Sequence, residues 1–162
     1  MAPLNGTITT SAEPLPRAMS LAPTDPDVRA LLAGTLAQTR SSAAVICLCA
    51  AWCGTCRDYE GVFAALQQAL PAHRYRWIDI EDEADALGDI DIETFPTLLV
   101  AQAGRVLFAG PVLPRLGDAQ RLIDVQAEAV RRQTWPSQTS LGLPAVQQAA
   151  FTQLAQALHA AR

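Results

Sequence analysis

The chain has 162 residues, half of them hydrophobic, with 12 basic against 16 acidic side chains and a net charge of -4, which suits one globular domain with a real core and excludes wholesale disorder. Its basic groups are all arginines, scattered from Arg17 to Arg162, and it has no lysine, so the clustered cations that track a phosphate backbone are missing and nucleic acid is not an expected partner. The first twenty residues carry neither the basic segment nor the apolar run of a secretory signal, and the most apolar stretch, 43–52, is about half a membrane span, so the expectation is a cytoplasmic protein with no membrane partner.

Residues 1–24, rich in Pro, Thr, Ser and Ala without a sustained period, read as an N-terminal arm that can lend an edge strand near Thr7 to Thr10. A domain over 25–133 follows. Asp25 can cap a helix, Pro26 suits its first position and Asp27 favours the positive end of the dipole, so a helix is predicted from Pro26 to about Arg40, with Val28, Leu31, Leu32 and Leu36 as its apolar stripe. Ala43 to Ala50 is a continuous apolar run, the pattern of a strand buried on both faces. From Cys53 the period becomes helical, with Tyr59, Phe63, Leu66 and Leu70 on one face, and Pro71 ends it. Tyr75 to Ile80 alternates as a second strand, followed by a short helix around Glu83 to Leu87 and a loop over Asp89 to Glu93. Thr97 to Ala101 and Val106 to Ala109 form a hairpin through Gly104. A helix starting near Asp118 is expected to bury Leu122, Ile123, Val125, Ala129 and Val130.

Residues 134–162 read as a linker and a C-terminal helical extension. In the helix, Ala145 to Ala161, Phe151, Leu154 and Leu158 share one side and Gln148, Thr152, Gln156 and His159 the other. Without a cation before Arg162 this helix is a poor membrane binder, and it either packs back on the domain or meets a partner. The order of elements predicts the α/β class: three layers, a mixed central sheet flanked by helices, and an extra C-terminal helix. The oligomeric state is not legible in the sequence.

All four cysteines lie between Cys47 and Cys56. A disulfide scaffold spreads its cysteines to tie distant segments, whereas this window suits a redox or metal site. Cys47 and Cys49 point to one face of their strand, as small packing residues or, for Cys47, as an auxiliary redox thiol. An all-thiolate zinc site usually draws on two separated knuckles, and neither His73 nor His159 completes one, so no metal and no cofactor is expected. Cys53 falls where strand gives way to helix. Unpaired N–H groups and the helix dipole favour negative charge there, making Cys53 the expected nucleophile. Cys56, about one turn later, is close enough for a short disulfide with Cys53 and suits a resolving role. The acidic run from Asp79 to Glu93 reads as a solvated face or as selection for a basic partner.

The segment Trp52-Cys53-Gly54-Thr55-Cys56 resembles the Trp-Cys-Gly-Pro-Cys signature of the thioredoxin family, matching four of its five residues. A second marker is Thr94-Phe95-Pro96-Thr97, whose proline lies 43 residues after Cys53, where the family carries a cis-proline facing the active-site disulfide. Gly104 and Gly110 also fit, and the resemblance runs from about Val28 to Arg132. It implies a thioredoxin-like fold and a thiol-disulfide oxidoreductase: Cys53 attacks a protein disulfide substrate, Cys56 resolves, Trp52 flanks the pair, Gly54 and Thr55 lie between them, and Pro96 and Phe95 shape the substrate groove. It also implies a reductase or other electron donor that the sequence does not identify.

The departures matter as much. The family's buried Asp six residues before the first cysteine is Cys47 here, its Lys on the next strand is Trp77, the proline between the cysteines is Thr55, and the helix-kinking proline is Gly61. Loss of the acid and lysine removes the groups that help move the proton of the resolving cysteine. An alternative reading is therefore a thioredoxin-fold binding or assembly factor, chaperone-like, with little redox turnover.

Overall fold

The computed structural model describes residues 42–137 and 141–161. The expected N-terminal arm and the helix over Pro26 to Arg40 lie outside the described residues. Strand β1, Ala44–Cys49, is buried along its whole length, which explains why its sequence shows no polar alternation. It pairs in parallel with β2, Arg74–Asp79, and antiparallel with β3, Thr97–Gln102. β3 in turn pairs antiparallel with β4, Arg105–Pro111, giving the order β2-β1-β3-β4. The two residues of the β3–β4 turn, Ala103 and Gly104, have φ of 51° and 73°, the sense of turn whose twist matches a tight hairpin.

Four helices complete the described fold: α1 over Gly54–Ala69, the short α2 over Ala84–Leu87, α3 over Leu116–Arg131 and α4 over Ala145–Ala160. One sheet face, carrying Val45, Cys47, Cys49, Leu98 and Val100, packs with Tyr59, Phe63 and Leu66 of α1 and Ile123 of α3. The opposite face, carrying Ile46, Leu48, Leu99 and Val106, packs with Leu87 of α2 and Phe151, Leu154 and Ala155 of α4. The result is the three-layer α/β arrangement with a mixed sheet, a thioredoxin-like fold, and α4 is an integral part of its second layer. Among the described residues, no helix is long and apolar enough to cross a membrane.

Val125 departs from expectation, being 58% exposed. At 100° per residue it points about 200° away from Ile123, the residue that anchors α3 to the sheet, so the buried side runs through Ala119 and Ile123 instead. At the far end of α1 the Tyr75 hydroxyl reaches the carbonyls of Leu66 and Leu70 at 3.3 and 2.9 Å, supplying a partner to a helix C-terminus that has no basic residue in its last turn.

Candidate active site

β1 delivers the chain directly into the cysteine turn. The Cys53 N–H donates to the Ala50 carbonyl at 2.9 Å, folding Ala51 and Trp52 into a tight turn, and the Arg57 guanidinium ties the same turn by donating to the Ala51 carbonyl at 3.1 Å. Cys53 is the N-cap of α1, with an extended backbone and no capping hydrogen bond from its side chain. Its sulfur is thus uncommitted, partly exposed, and set against the positive end of a helix whose first turn holds no acid. Gly54 and Thr55 are exposed beside it. Cys56 faces the opposite way, into the core, and is only 2% exposed.

The disulfide does not join Cys53 to Cys56. Cys56 is bonded to Cys49 across a Cα separation of 5.8 Å, and Cys47 and Cys53 are free thiols. The physical reason is the seating of α1. Tyr59, Phe63 and Leu66 press one side of the helix onto the sheet, and Cys56, three residues before Tyr59, shares that side. Cys49 ends β1 with its side chain on the same sheet face, so the inward sulfurs meet, while Cys53 at the cap is left toward the surface. Sequence reasoning missed Cys49 as a reacting partner. The available signal was its placement, with Cys47, on one strand face leading into the turn.

Trp52 is 61% exposed and is held in place on two sides. Its ring meets Phe95 edge-on with centroids 5.6 Å apart, and its indole N–H donates to the Glu81 carboxylate at 3.0 Å. Glu81 is a second residue that sequence reasoning left undistinguished within the acidic run. The Trp52–Phe95 contact brings the cysteine turn and the Phe95–Pro96 loop together. The Phe95–Pro96 peptide is cis; Pro96 is buried, and its carbonyl accepts from the Val112 N–H at 3.0 Å. The loop is pinned further by the Thr97 hydroxyl, which donates to the Thr94 carbonyl at 2.8 Å.

Residues 33–111 match the thioredoxin family model. Over that stretch, just under half of the chain, the sequence is similar to thioredoxins. Comparison with curated proteins finds no match. Among solved structures, the chain is similar to Fasciola hepatica thioredoxin, at 18% identity and a TM-score of 0.49 over 60% of this chain and 93% of that one. It is also similar to mitochondrial thioredoxin 3 of Saccharomyces cerevisiae in its oxidised form, at 21% identity and a TM-score of 0.46 over 59% of this chain and 89% of that one. A thioredoxin from Nicotiana alata is 20% identical, with a TM-score of 0.48 over 60% of this chain and 84% of that one.

Beneath the cysteine turn, Cys47 and Trp77 are direct neighbours across β1 and β2. Neither supplies a carboxylate or an ammonium. Trp77 packs edge-on against Phe63 with centroids 5.6 Å apart. Burial pushes the Cys47 thiol up to about 12, which favours its neutral form at neutral pH. Its Sγ lies 3.8 Å from the Cys49 Sγ. The hydroxyl of Tyr59, fully buried nearby, has no hydrogen-bond partner among the described residues, and burial together with Cys47 holds its ionisation well above the ordinary tyrosine range. Among the described residues, no cluster of three or more His, Cys, Asp or Glu side chains is placed to hold a metal ion.

Proposed function

We propose that this chain is a thiol-disulfide oxidoreductase acting on protein disulfides. The observation that carries the reading is Cys53: a free, partly exposed thiol at the N-terminus of α1, with Cys56 one turn further along the same helix. In the reductive direction the Cys53 thiolate attacks a substrate disulfide, the mixed disulfide forms on Cys53, and Cys56, once reduced, attacks Cys53 to release the second substrate thiol. Trp52 and Phe95 wall the groove beside Cys53, and Phe95 ahead of buried Pro96 supplies backbone for an extended substrate segment to pair with. Electrons return from a reductase or a small dithiol, and a reducing compartment such as the cytoplasm suits that supply.

With Cys47 and Trp77 in place of an acid and a lysine on β1 and β2, release of the Cys56 proton falls to water entering past Cys53, which favours a slow resolving step. A second reading draws on the same site: Cys56 is engaged with Cys49, a state in which Cys53 captures a partner without releasing it, as a binding or assembly factor would. Insulin disulfide reduction with dithiothreitol as donor separates the two. Turnover above background in the wild type that falls to background in Cys53→Ser supports the oxidoreductase; equal background rates in both overturn it.

A further inference from the structure

Of the four cysteines, Cys47, Cys49 and Cys56 are buried and Cys53 alone is partly exposed. Cys49 is fully buried and Cys56 is 2% exposed, so an external thiol has no approach to the disulfide between them, and thiol-disulfide exchange requires access to a sulfur. Cys53 is partly exposed, free, and packed against the core cluster that contains both Cys49 and Cys56. We propose that Cys49 is a third exchange thiol of the site: the oxidised protein stores its disulfide inside, as Cys49–Cys56, and Cys53 is the gate through which electrons reach it. This deepens the oxidoreductase reading above and rests on it.

The exchange balances without an added oxidant. The Cys53 thiolate attacks Cys56 Sγ; the Cys53–Cys56 bond forms, the Cys49–Cys56 bond breaks, and Cys49 leaves as a thiolate that takes up the proton Cys53 had given to solvent. No electrons are gained or lost in this step. A donor dithiol then attacks Cys53 Sγ and releases Cys56 as a thiol. The second donor thiol clears the mixed disulfide, leaving the donor oxidised and this site fully reduced. After a substrate has been reduced the internal step runs the other way, with Cys49 taking Cys56 and freeing Cys53.

Cys47 fits this scheme as a positioning residue. Its sulfur is 3.8 Å from that of Cys49, and as a thiol it can donate its S–H to the Cys49 thiolate as that group leaves. The scheme also gives the two states different behaviour. With Cys56 reduced, the site turns over; with Cys56 tied to Cys49, Cys53 still attacks a substrate but has no resolving partner, and the mixed disulfide persists.

The test uses the full chain, oxidised with glutathione disulfide, quenched in acid, labelled at free thiols and digested without reductant. Cleavage after Trp52 and Arg57 separates the strand cysteines from the turn cysteines. The expected product is the strand peptide linked through Cys49 to the peptide Cys53–Arg57, with either the label or a glutathione on Cys53. A closed Cys53–Cys56 loop with label on Cys49 overturns the proposal. In Cys53→Ser the Cys49–Cys56 bond should be reduced by glutathione at least about tenfold more slowly than in the wild type, because the gate is missing; equal rates overturn the relay. Insulin turnover read in parallel keeps the two ideas apart. Cys49–Cys56 linkage without turnover supports the buried disulfide and sinks only the oxidoreductase reading, whereas turnover with only Cys53–Cys56 linkage sinks the proposal alone.

Discussion

Burial decides what each sulfur of this site can do, and what the His73 imidazole at the other end of β1 can do. Cys47 and Cys53 are both free thiols, yet one is sealed in the core and the other stands at a helix cap. With the Cys47 thiol pushed up to about 12 by burial, iodoacetamide at pH 8 should label Cys53 and leave Cys47 unmodified until the protein is unfolded; rapid native labelling of Cys47, followed by mass mapping, would contradict this. His73 shows the same force acting on a base. Its Nδ1 accepts the Ala43 N–H at 3.2 Å, which requires that nitrogen to be unprotonated, and burial lowers its ionisation against the opposing pull of Asp124. The folded value lies below the unfolded one of about 6.5, so between the two the unfolded chain binds more protons and stability rises with pH. The His73 contribution is complete above about pH 6.5 and is lost as pH falls through the lowered folded value. His73→Asn keeps an acceptor in the same place without the titration. Urea midpoints compared at pH 7.5 and pH 5 should therefore fall less in the variant than in the wild type.

Helix α1 is where sequence and structure can be weighed most closely. Its start at the cysteine turn, its buried side through Tyr59, Phe63 and Leu66, and its end before Pro71 were all legible, because helical period and cap chemistry are local properties. β1 was legible for a similar reason, its unbroken apolar run demanding cover on both faces. The disulfide partner was not. One-turn spacing puts Cys56 near Cys53 in any helix, but which sulfur Cys56 meets depends on how α1 is seated over β1, a matter of side-chain packing between distant segments. Val125 was misplaced for a related cause, since an apolar residue at the margin of a helical stripe is assigned inside or outside only by the docking angle. Gly61 tests the intrinsic side of this helix. It sits on the exposed surface of α1, with nothing within 4 Å of where a methyl group on its Cα would stand, so Gly61→Ala should stabilise the fold by about 1 kcal/mol. Tyr75→Phe removes the hydroxyl that serves the carbonyls of Leu66 in α1 and of Leu70 just beyond it, and should cost about 1 kcal/mol. Shifts of the urea midpoint in opposite directions would bear out both, and coincident midpoints would contradict them.

Across the whole molecule, the C-terminal helix does two jobs for the distant thiols. It seals the second sheet face with Phe151 and Leu154, 3% and 6% exposed, and it braces the loop that leads to Phe95 and Pro96. Gln147 accepts from the Asp91 N–H at 3.0 Å and donates to the Asp89 carbonyl at 3.1 Å. Phe151→Ala should cost about 3 to 5 kcal/mol, read as a lowered urea midpoint, and an unchanged midpoint would show that α4 adds little to the core. The acidic run divides into working parts at this scale: Glu81 holds Trp52, and Glu83 pairs with Arg76. What unites these features is one partly exposed thiol, Cys53, which the proposed function makes the nucleophile. That claim is tested most directly by trapping. In the double variant Cys49→Ala, Cys56→Ser, no thiol remains to resolve a mixed disulfide on Cys53 except buried Cys47. Incubation with insulin should give a stable covalent adduct that maps to Cys53 and is released by dithiothreitol. Absence of an adduct, or an adduct at Cys47, would contradict the account.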